Sequence, residues 1–245
     1  MTTAEILEEI AQQVAVCEKC ELHFSRKHAV PGAGSPQTEI LFIGEGPGFH
    51  ENEQGLPFVG RSGKFLDELL ESCGMDRSTV FITNVVKCRP PGNRDPKPEE
   101  LTACGRYLDR QIEAINPKVI VTLGRLSMAK FIHNAKISQI HGQPRRVRGR
   151  LVVPMYHPAA ALRLGSLRPV MKEDFAKLPE WIEQARQAAP QQYETAAPSG
   201  TQTSIHEVNA EQIDLFSGNN PAPSNEDAPP LFNPQEDEPD QLSLF

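Results

Sequence analysis

The sequence predicts a three-layer α/β sandwich built around a mainly parallel central sheet. Short apolar runs rich in Ile and Val alternate along the chain with segments whose apolar residues recur at helical spacing. This alternation is typical of parallel sheets covered by helices on both faces. Two of the runs are followed directly by glycine, at Gly44 and Gly124. Polar motifs then follow the runs, as expected where ligands bind beyond the carboxyl ends of parallel strands.

The elements follow from local patterns, taken in chain order. The first helix is predicted because Ile6, Leu7, Ile10 and Val14 share one helical face. A later helix has Pro98 near its start, where a missing N–H costs nothing. The predicted helices are Thr3–Cys17, Gly63–Cys73, Lys97–Ile115, Arg125–Ile132 and Pro169–Ala185. The predicted strands are Glu39–Ile43, Val80–Thr83, Lys118–Leu123 and Leu151–Met155.

The composition changes after residue 186. Residues 187–245 contain ten acidic side chains, eight prolines and no Lys or Arg. The whole chain has a net charge of −7. Without those ten acidic residues, residues 1–186 have 25 basic and 22 acidic side chains, a net charge of +3. A segment so poor in packing residues cannot offset the entropy of ordering it. We therefore expect a single domain at 1–186, able to approach a polyanion, and a disordered acidic tail at 187–245.

Two classes of protein are excluded by the same reading. No apolar run approaches the 18 residues needed to cross a bilayer, and the acidic, polar N-terminal segment does not resemble a signal peptide. We expect a soluble cytoplasmic protein, a monomer, in which the five cysteines are thiols or metal ligands rather than disulfides.

Four cysteines form a pattern that suits a metal site. Cys17 and Cys20 are spaced as CxxC after the first predicted helix, and Cys88 and Cys104 follow with fifteen residues between them. Four thiolates can close a zinc site or hold an iron–sulfur cluster, and the spacing does not separate these two. The alternative is a set of free core thiols, which we expect for Cys73.

Two glycine-rich motifs lie near the first strand. Residues 44–48 read GEGPG, whose glycines let the backbone approach a ligand, although an ordinary turn would look the same. The motif lacks the G-K-[ST] ending of nucleotide triphosphatases. Residues 55–63 read GLPFVGRSG, where Phe58 either fills the core or offers its ring to a planar base.

Two further motifs follow later strands. Residues 83–94 read TNVVKCRPPGNR. The Asn84 carboxamide offers both an acceptor and donors that match a pyrimidine edge; the alternative is a turn-forming Asn. Arg89 and Arg94 make the same loop basic. His157 follows the last strand in the sequence YHPA. A single histidine is more often structural than catalytic, but this position at a strand end favours a functional role.

Taken together, these motifs resemble the type-4 iron–sulfur uracil-DNA glycosylases over roughly residues 5–185. The resemblance implies a Rossmann-like fold, removal of uracil from DNA to leave an abasic site, and a [4Fe–4S] cluster held by Cys17, Cys20, Cys88 and Cys104.

The resemblance also implies roles for single residues. Gly44, Glu45 and Gly46 would line the uracil pocket, and Phe58 would stack on the flipped base. Asn84 would read the polar edge of uracil, and His157 would contact a carbonyl oxygen. Glu45 is the nearest carboxylate for activating water. The candidates for contact with DNA are Arg89, Arg94 and a wedge at Leu162 or Arg163.

The tail carries two similar pentapeptides, at 212–216 and 241–245, with the pattern Q-[IL]-[DS]-L-F. Both resemble the bacterial sliding-clamp-binding motif, in which a disordered segment docks a Leu-Phe pair in an apolar pocket. The alternative is that these are apolar residues scattered along a linker, with no binding partner. The residues expected to bind a clamp are Gln212, Leu215, Phe216, Gln241, Leu244 and Phe245.

Two other functions compete with a glycosylase. A non-catalytic iron–sulfur protein that senses damage or redox state would bind DNA without turnover. A zinc-stabilised nucleotide-binding module would lack the brown colour of an iron–sulfur protein.

Overall fold

The computed structural model describes residues 1–187, so nearly all of the expected tail, including both pentapeptides, lies outside the described residues. Within them the predicted architecture is confirmed: six strands form one sheet with helices on both of its faces. The strands are β1 (Ala33–Gly34), β2 (Ile40–Gly44), β3 (Phe81–Asn84), β4 (Val119–Leu123), β5 (Arg145–Val147) and β6 (Arg150–Met155).

The sheet has the order β1-β3-β2-β4-β6-β5. Its four central strands are parallel, and the two short edge strands are antiparallel to their neighbours. The parallel register places Gly44 beside Asn84 at the ends of β2 and β3. Residues that follow these strands therefore meet at one edge of the sheet.

Nine α-helices lie within residues 1–187. They are α1 (Thr3–Ala15), α2 (Phe49–Gln54), α3 (Arg61–Ser72), α4 (Pro98–Ile115), α5 (Arg125–Ala129), α6 (Ile137–Ile140), α7 (Pro158–Arg163), α8 (Leu167–Ala176) and α9 (Leu178–Gln187). Three short 3₁₀ turns connect other elements, at Glu21–His23, Arg77–Thr79 and Pro91–Asn93.

Side chains alternate between the two faces of each central strand, so each strand packs against helices on both sides of the sheet. Ile40 and Phe42 point to one face of β2, where they pack against the apolar sides of α3, α8 and α9. Leu41 and Ile43 point to the other face, where they pack with Leu108 and other residues of α4. The four central strands are buried on both faces, which explains why their runs are continuously apolar rather than alternating.

A smaller apolar cluster joins α1 to α4. Ile10 and Val14 of α1 pack with Leu22, Val86 and Tyr107, and the four cysteines of the predicted metal site lie in or against this cluster. The start of α1 is fixed by Thr2 and Glu5, whose side chains and backbone N–H groups bond reciprocally.

The elements that the sequence did not predict are short or weakly patterned. β1 has two residues and β5 has three, two of them arginine, so neither shows apolar alternation. The helix predicted at Pro169–Ala185 is instead α8 and α9, which meet at Lys177. Pro179 explains the break, because proline has no N–H to continue the ladder and is tolerated only in the first turn of a helix. None of the helices in residues 1–187 combines the length and apolar character needed to span a bilayer.

Candidate active site

A cavity of about 460 Å³ opens at the carboxyl ends of the parallel strands. It is lined by Glu45 and Gly46 after β2, Phe58 before α3, Asn84 at the end of β3, and His157 after β6. These residues are separated by up to 112 positions in the chain, and the sheet brings them together as expected. Gly44, also expected to line the pocket, is not among the lining residues; it lies beside Asn84 at the end of β2.

Gly44 is required because two buried side chains converge on it. A Cβ atom there would lie 2.3 Å from Asn84 Oδ1 and 2.7 Å from the ring of Phe58. Phe58 itself has a φ of 51°, in the left-handed region that non-glycine residues rarely adopt. The ring is buried and stacks on the His157 imidazole, with 5.5 Å between ring centroids. The loop thus holds an aromatic ring in a strained but well-supported position.

Glu51 supports this loop, and sequence reasoning missed it. Its buried carboxylate accepts hydrogen bonds from the N–H groups of Gly48 (3.1 Å), Val59 (2.9 Å) and Gly60 (2.9 Å). One side chain therefore ties the end of the GEGPG motif to the residues that follow Phe58. The available signal was a glutamate three residues after Gly48, the N3 position of a helix cap.

Asn84 is buried, but its carboxamide oxygen has no hydrogen-bond partner. It is one of three buried side-chain oxygen or nitrogen atoms in residues 1–187 without one. Asn84 also lines the cavity. A buried polar atom without a partner costs about 1–3 kcal/mol. A carboxamide with an unpaired atom, on a residue that lines a cavity, suits hydrogen bonding with a ligand.

His157 is a neutral donor. Its Nδ1 accepts a hydrogen bond from the Ala159 N–H at 3.1 Å, which leaves the proton on Nε2. Burial lowers the pKa of His157 to about 4, despite the opposing effect of Glu51, so the imidazole is uncharged at neutral pH. His157 therefore offers one N–H to the cavity without a positive charge.

Glu45 lines the same cavity. Its Oε1 accepts a hydrogen bond from the Leu126 N–H at 2.9 Å, at the start of α5. Gly124, with a φ of 102°, makes room for it, since a Cβ there would lie 2.5 Å from Oε1. Burial raises the pKa of Glu45 above its ordinary value, and the carboxylate of Asp95 raises it further. These features suit a group that accepts a proton.

The residues predicted to contact DNA have different surroundings. Arg94 lines the cavity, but its guanidinium bonds both oxygens of buried Glu100, at 2.7 and 2.9 Å. Arg89 donates from Nε to Asn93 Oδ1 at 2.7 Å. Of the two wedge candidates, Leu162 is partly buried against the core, whereas Arg163 is exposed and lines the cavity.

The cysteines form a second pocket. Cys17, Cys20, Cys88 and Cys104 all line it, beneath α1 and α4. As the side chains stand, no three His, Cys, Asp or Glu residues in the described part of the chain converge to hold a single metal ion. Cys73 lies elsewhere, half-buried against the core, and its thiol donates to the Leu70 carbonyl at 3.1 Å. It is separate from the other four, as predicted.

Two donors reach the sulfur atoms of this pocket. The Lys87 N–H lies 3.2 Å from Cys104 Sγ, and the Arg26 guanidinium lies 3.6 Å from Cys88 Sγ. Burial nevertheless raises the pKa of both thiols, that of Cys104 to about 11. A raised pKa disfavours the thiolate form of Cys88 and Cys104 unless a positively charged partner such as a metal group stabilises it.

Lys87 lies between the two pockets. Its fully buried ammonium donates to Thr83 Oγ1 (2.5 Å), the Asn84 carbonyl (2.9 Å) and Gln111 Oε1 (2.7 Å). Burial lowers the pKa of Lys87 to about 7. The side chain fixes the end of β3, where Asn84 enters the cavity.

Comparison with known proteins identifies the family. The model of the uracil DNA glycosylase superfamily matches residues 31–186, which contain the sheet and the whole cavity. The chain belongs to this superfamily. It is 45–50% identical to several type-4 uracil-DNA glycosylases, the branch that the motifs indicated.

Three type-4 relatives illustrate how far the similarity of this glycosylase extends. The type-4 uracil-DNA glycosylase of Sulfurisphaera tokodaii is 50% identical over 186 residues, covering 71% of this chain and 84% of the relative. Those of Archaeoglobus fulgidus and Thermotoga maritima are 47% and 45% identical, each again over 186 residues. These alignments cover 72% and 74% of this chain and 93% and 97% of the relatives.

Proposed function

We propose that this protein is a uracil-DNA glycosylase of base excision repair. It hydrolyses the N-glycosidic bond of uracil in DNA, releases free uracil and leaves an abasic site. The observation that carries the proposal is that one cavity is lined both by Asn84, whose buried carboxamide oxygen lacks a hydrogen-bond partner, and by the neutral donor His157.

The polar groups of the cavity match one edge of uracil. The Asn84 oxygen accepts the N3–H of the base, and its amide group donates to O4. His157 Nε2–H donates to O2, and the buried Phe58 ring supplies an apolar face for stacking. Cytosine presents an amino group at C4 and no proton on N3, so the same Asn84 geometry opposes it.

The reaction begins when the nucleotide leaves the stack, at a cost of a few kcal/mol. As the C1′–N1 bond breaks, its electron pair passes to the uracil ring and negative charge develops on O2. The His157 hydrogen bond strengthens in the transition state because it acts on that charge, the effect of an oxyanion donor. A water oxygen forms the new bond to C1′, and the Glu45 carboxylate accepts the proton that this water releases.

We also propose a [4Fe–4S] cluster for the second pocket. Four thiols line this one pocket, and four cysteine thiolates are the usual ligand set of such a cluster. Cys17, Cys20, Cys88 and Cys104 would hold it. The cluster would supply structural cross-linking, since hydrolysis needs no electron transfer. The Lys87 N–H and the Arg26 guanidinium would stabilise the charge on the ligating sulfurs.

The sequence also supports a partner for residues 187–245. We propose that the pentapeptides at 212–216 and 241–245 bind the replication sliding clamp, each through its Leu-Phe pair. An acidic segment is repelled by DNA and remains available to a protein ring around the duplex. Two copies on one flexible chain would raise the avidity through effective concentration.

Excision from a uracil-containing oligonucleotide tests the proposed function. With substrate in excess, we expect multiple turnovers by the wild type. With enzyme in excess, we expect a single-turnover rate at least about 10²-fold lower for Asn84→Ala and for His157→Ala, the scale of a lost oxyanion donor. Binding to such DNA without release of uracil would favour a non-catalytic damage sensor instead. Rates within twofold of wild type for either variant would contradict its assigned role.

A further inference from the structure

Phe49 is an exposed aromatic side chain next to a residue that lines the cavity. It begins α2 directly after Gly48, which lines the cavity, and 53% of its surface is accessible. Among residues 1–187 only one other aromatic residue, Phe24, belongs to the exposed large apolar side chains. A single exposed Phe is common on protein surfaces and does not by itself indicate a function. The residues around Phe49 do indicate one.

Arg89 lies over the Phe49 ring, with its guanidinium carbon 5.4 Å from the ring centroid. The guanidinium is oriented by its hydrogen bond to Asn93 Oδ1, and Asn93 and Pro90 both line the cavity. The His50 ring meets the Phe49 ring edge-on at 5.5 Å. The ring is therefore supported on two sides while more than half of the side chain stays open.

We propose that Phe49 and Arg89 form a stacking platform for the nucleobase next to uracil in the same strand. The inference rests on the proposed function, because an extruded uracil brings its covalently linked neighbours to the mouth of this cavity. An open aromatic face stacks on any base. The Arg89 cation faces the adjacent phosphate, so the pair recognises the two components of a nucleotide without selecting its sequence.

The platform has a distinct energetic purpose. Extrusion of uracil breaks the stacking of its neighbours, and a base that stacks on Phe49 recovers part of that loss. Removing one aromatic–base stack weakens binding by roughly 5- to 150-fold. The gain depends on the neighbouring base rather than on uracil, and this dependence separates the platform from the Phe58 stack inside the cavity.

The test combines variants of the full-length, cluster-loaded protein with two single-stranded substrates. One oligonucleotide carries uracil between ordinary nucleotides; in the other, both neighbours of uracil are base-free tetrahydrofuran residues. For Phe49→Ala and Phe49→Leu we expect kcat/KM to fall about 10-fold on the first substrate and less than twofold on the second. Leu keeps the apolar bulk but has no ring, and Phe49→Trp should retain the wild-type value.

Phe24→Ala is the matched control. Phe24 is also exposed and also pairs with a histidine, but that neighbour, His23, lines the cysteine pocket. We expect it to leave kcat/KM within twofold of wild type on both substrates. An equal loss on the two substrates, no loss for Phe49→Ala and Phe49→Leu, or a matching loss for Phe24→Ala would overturn the proposal.

Failure of the proposed function gives a different result. If the wild type releases no uracil from either strand, the function is wrong, and equilibrium binding of the same two oligonucleotides then tests the platform alone. Tighter binding of the first strand by the wild type, abolished in Phe49→Leu, supports stacking. Equal affinities of the wild type for the two strands contradict it.

Discussion

Substitution of Glu51 by Gln tests whether one carboxylate organises the uracil pocket. The carboxylate accepts three backbone N–H bonds, one through Oε2 and two through Oε1. A Gln side chain of the same shape keeps one oxygen. If that oxygen faces Val59 and Gly60, the new amide group points its protons at the Gly48 N–H, so donor meets donor.

The cost follows from the bonds that change. One charge-assisted hydrogen bond, worth about 1.5–3 kcal/mol, is lost, and two others weaken to neutral bonds worth about 0.5–1.5 kcal/mol each. We expect a loss of about 4–5 kcal/mol in the free energy of unfolding. For a domain of this size, that lowers Tm by roughly 8–20 °C. Because Val59 and Gly60 follow Phe58 directly, we also expect kcat/KM on uracil-containing DNA to fall at least about 10-fold.

Calorimetry and single-turnover excision measure the two effects, with Glu5→Gln as the control. Glu5 also accepts a backbone N–H at a helix start, from Thr2 at 2.7 Å, but it is exposed. It should cost less than about 1 kcal/mol and leave activity unchanged. A Glu51→Gln protein with Tm within 2 °C of wild type and an unchanged rate would refute the argument that this carboxylate holds the pocket together.

The remaining predictions concern pH, the cysteines and the tail. The excision rate should rise with pH through the raised pKa of Glu45, without a second limb from His157, whose pKa of about 4 keeps it neutral. Single-turnover rates from pH 4.5 to 8 measure this dependence. A pH-dependent change in rate that remains in Glu45→Gln but disappears in His157→Asn would contradict the prediction. Cys88→Ala should lose iron, colour and soluble yield, whereas Cys73→Ala should retain all three; stoichiometric zinc without iron in the native protein would exclude the cluster. In a quadruple variant, alanine replaces Leu215, Phe216, Leu244 and Phe245. This variant should no longer co-elute with the clamp in gel filtration but should excise uracil from short oligonucleotides at the wild-type rate. Co-elution of the variant with the clamp would contradict the assignment.

The sequence was sufficient for the sheet because its central strands are fully buried. Runs such as Val119–Leu123 are continuously apolar and end in turn residues, so their positions were predicted to within two residues. The edge strands were not predictable in this way. Ala33–Gly34 has no side-chain pattern, and Arg145–Val147 pairs with β6 through a hairpin whose register is a tertiary property.

The site was predictable where a residue follows a central strand. Asn84 and His157 reach the cavity because parallel strands end at one edge, a rule that needs no side-chain detail. Glu51 was missed because its role depends on three N–H groups that only the folded loop collects. The protonation state of His157 was likewise beyond the sequence, since it depends on burial and on the Ala159 N–H.

The segment from Thr83 to Arg94 connects the two pockets. Asn84, Pro90, Asn93 and Arg94 line the cavity, while Cys88, in the middle of the segment, lines the cysteine pocket. Lys87 joins them through its backbone N–H to Cys104 and its ammonium to the Asn84 carbonyl. A metal group bound by Cys88 would therefore fix the backbone on both sides of that residue. A shift of about 1 Å in a positioned group can cost about 10² in rate, so a purely structural cluster would still control uracil excision through the position of Asn84.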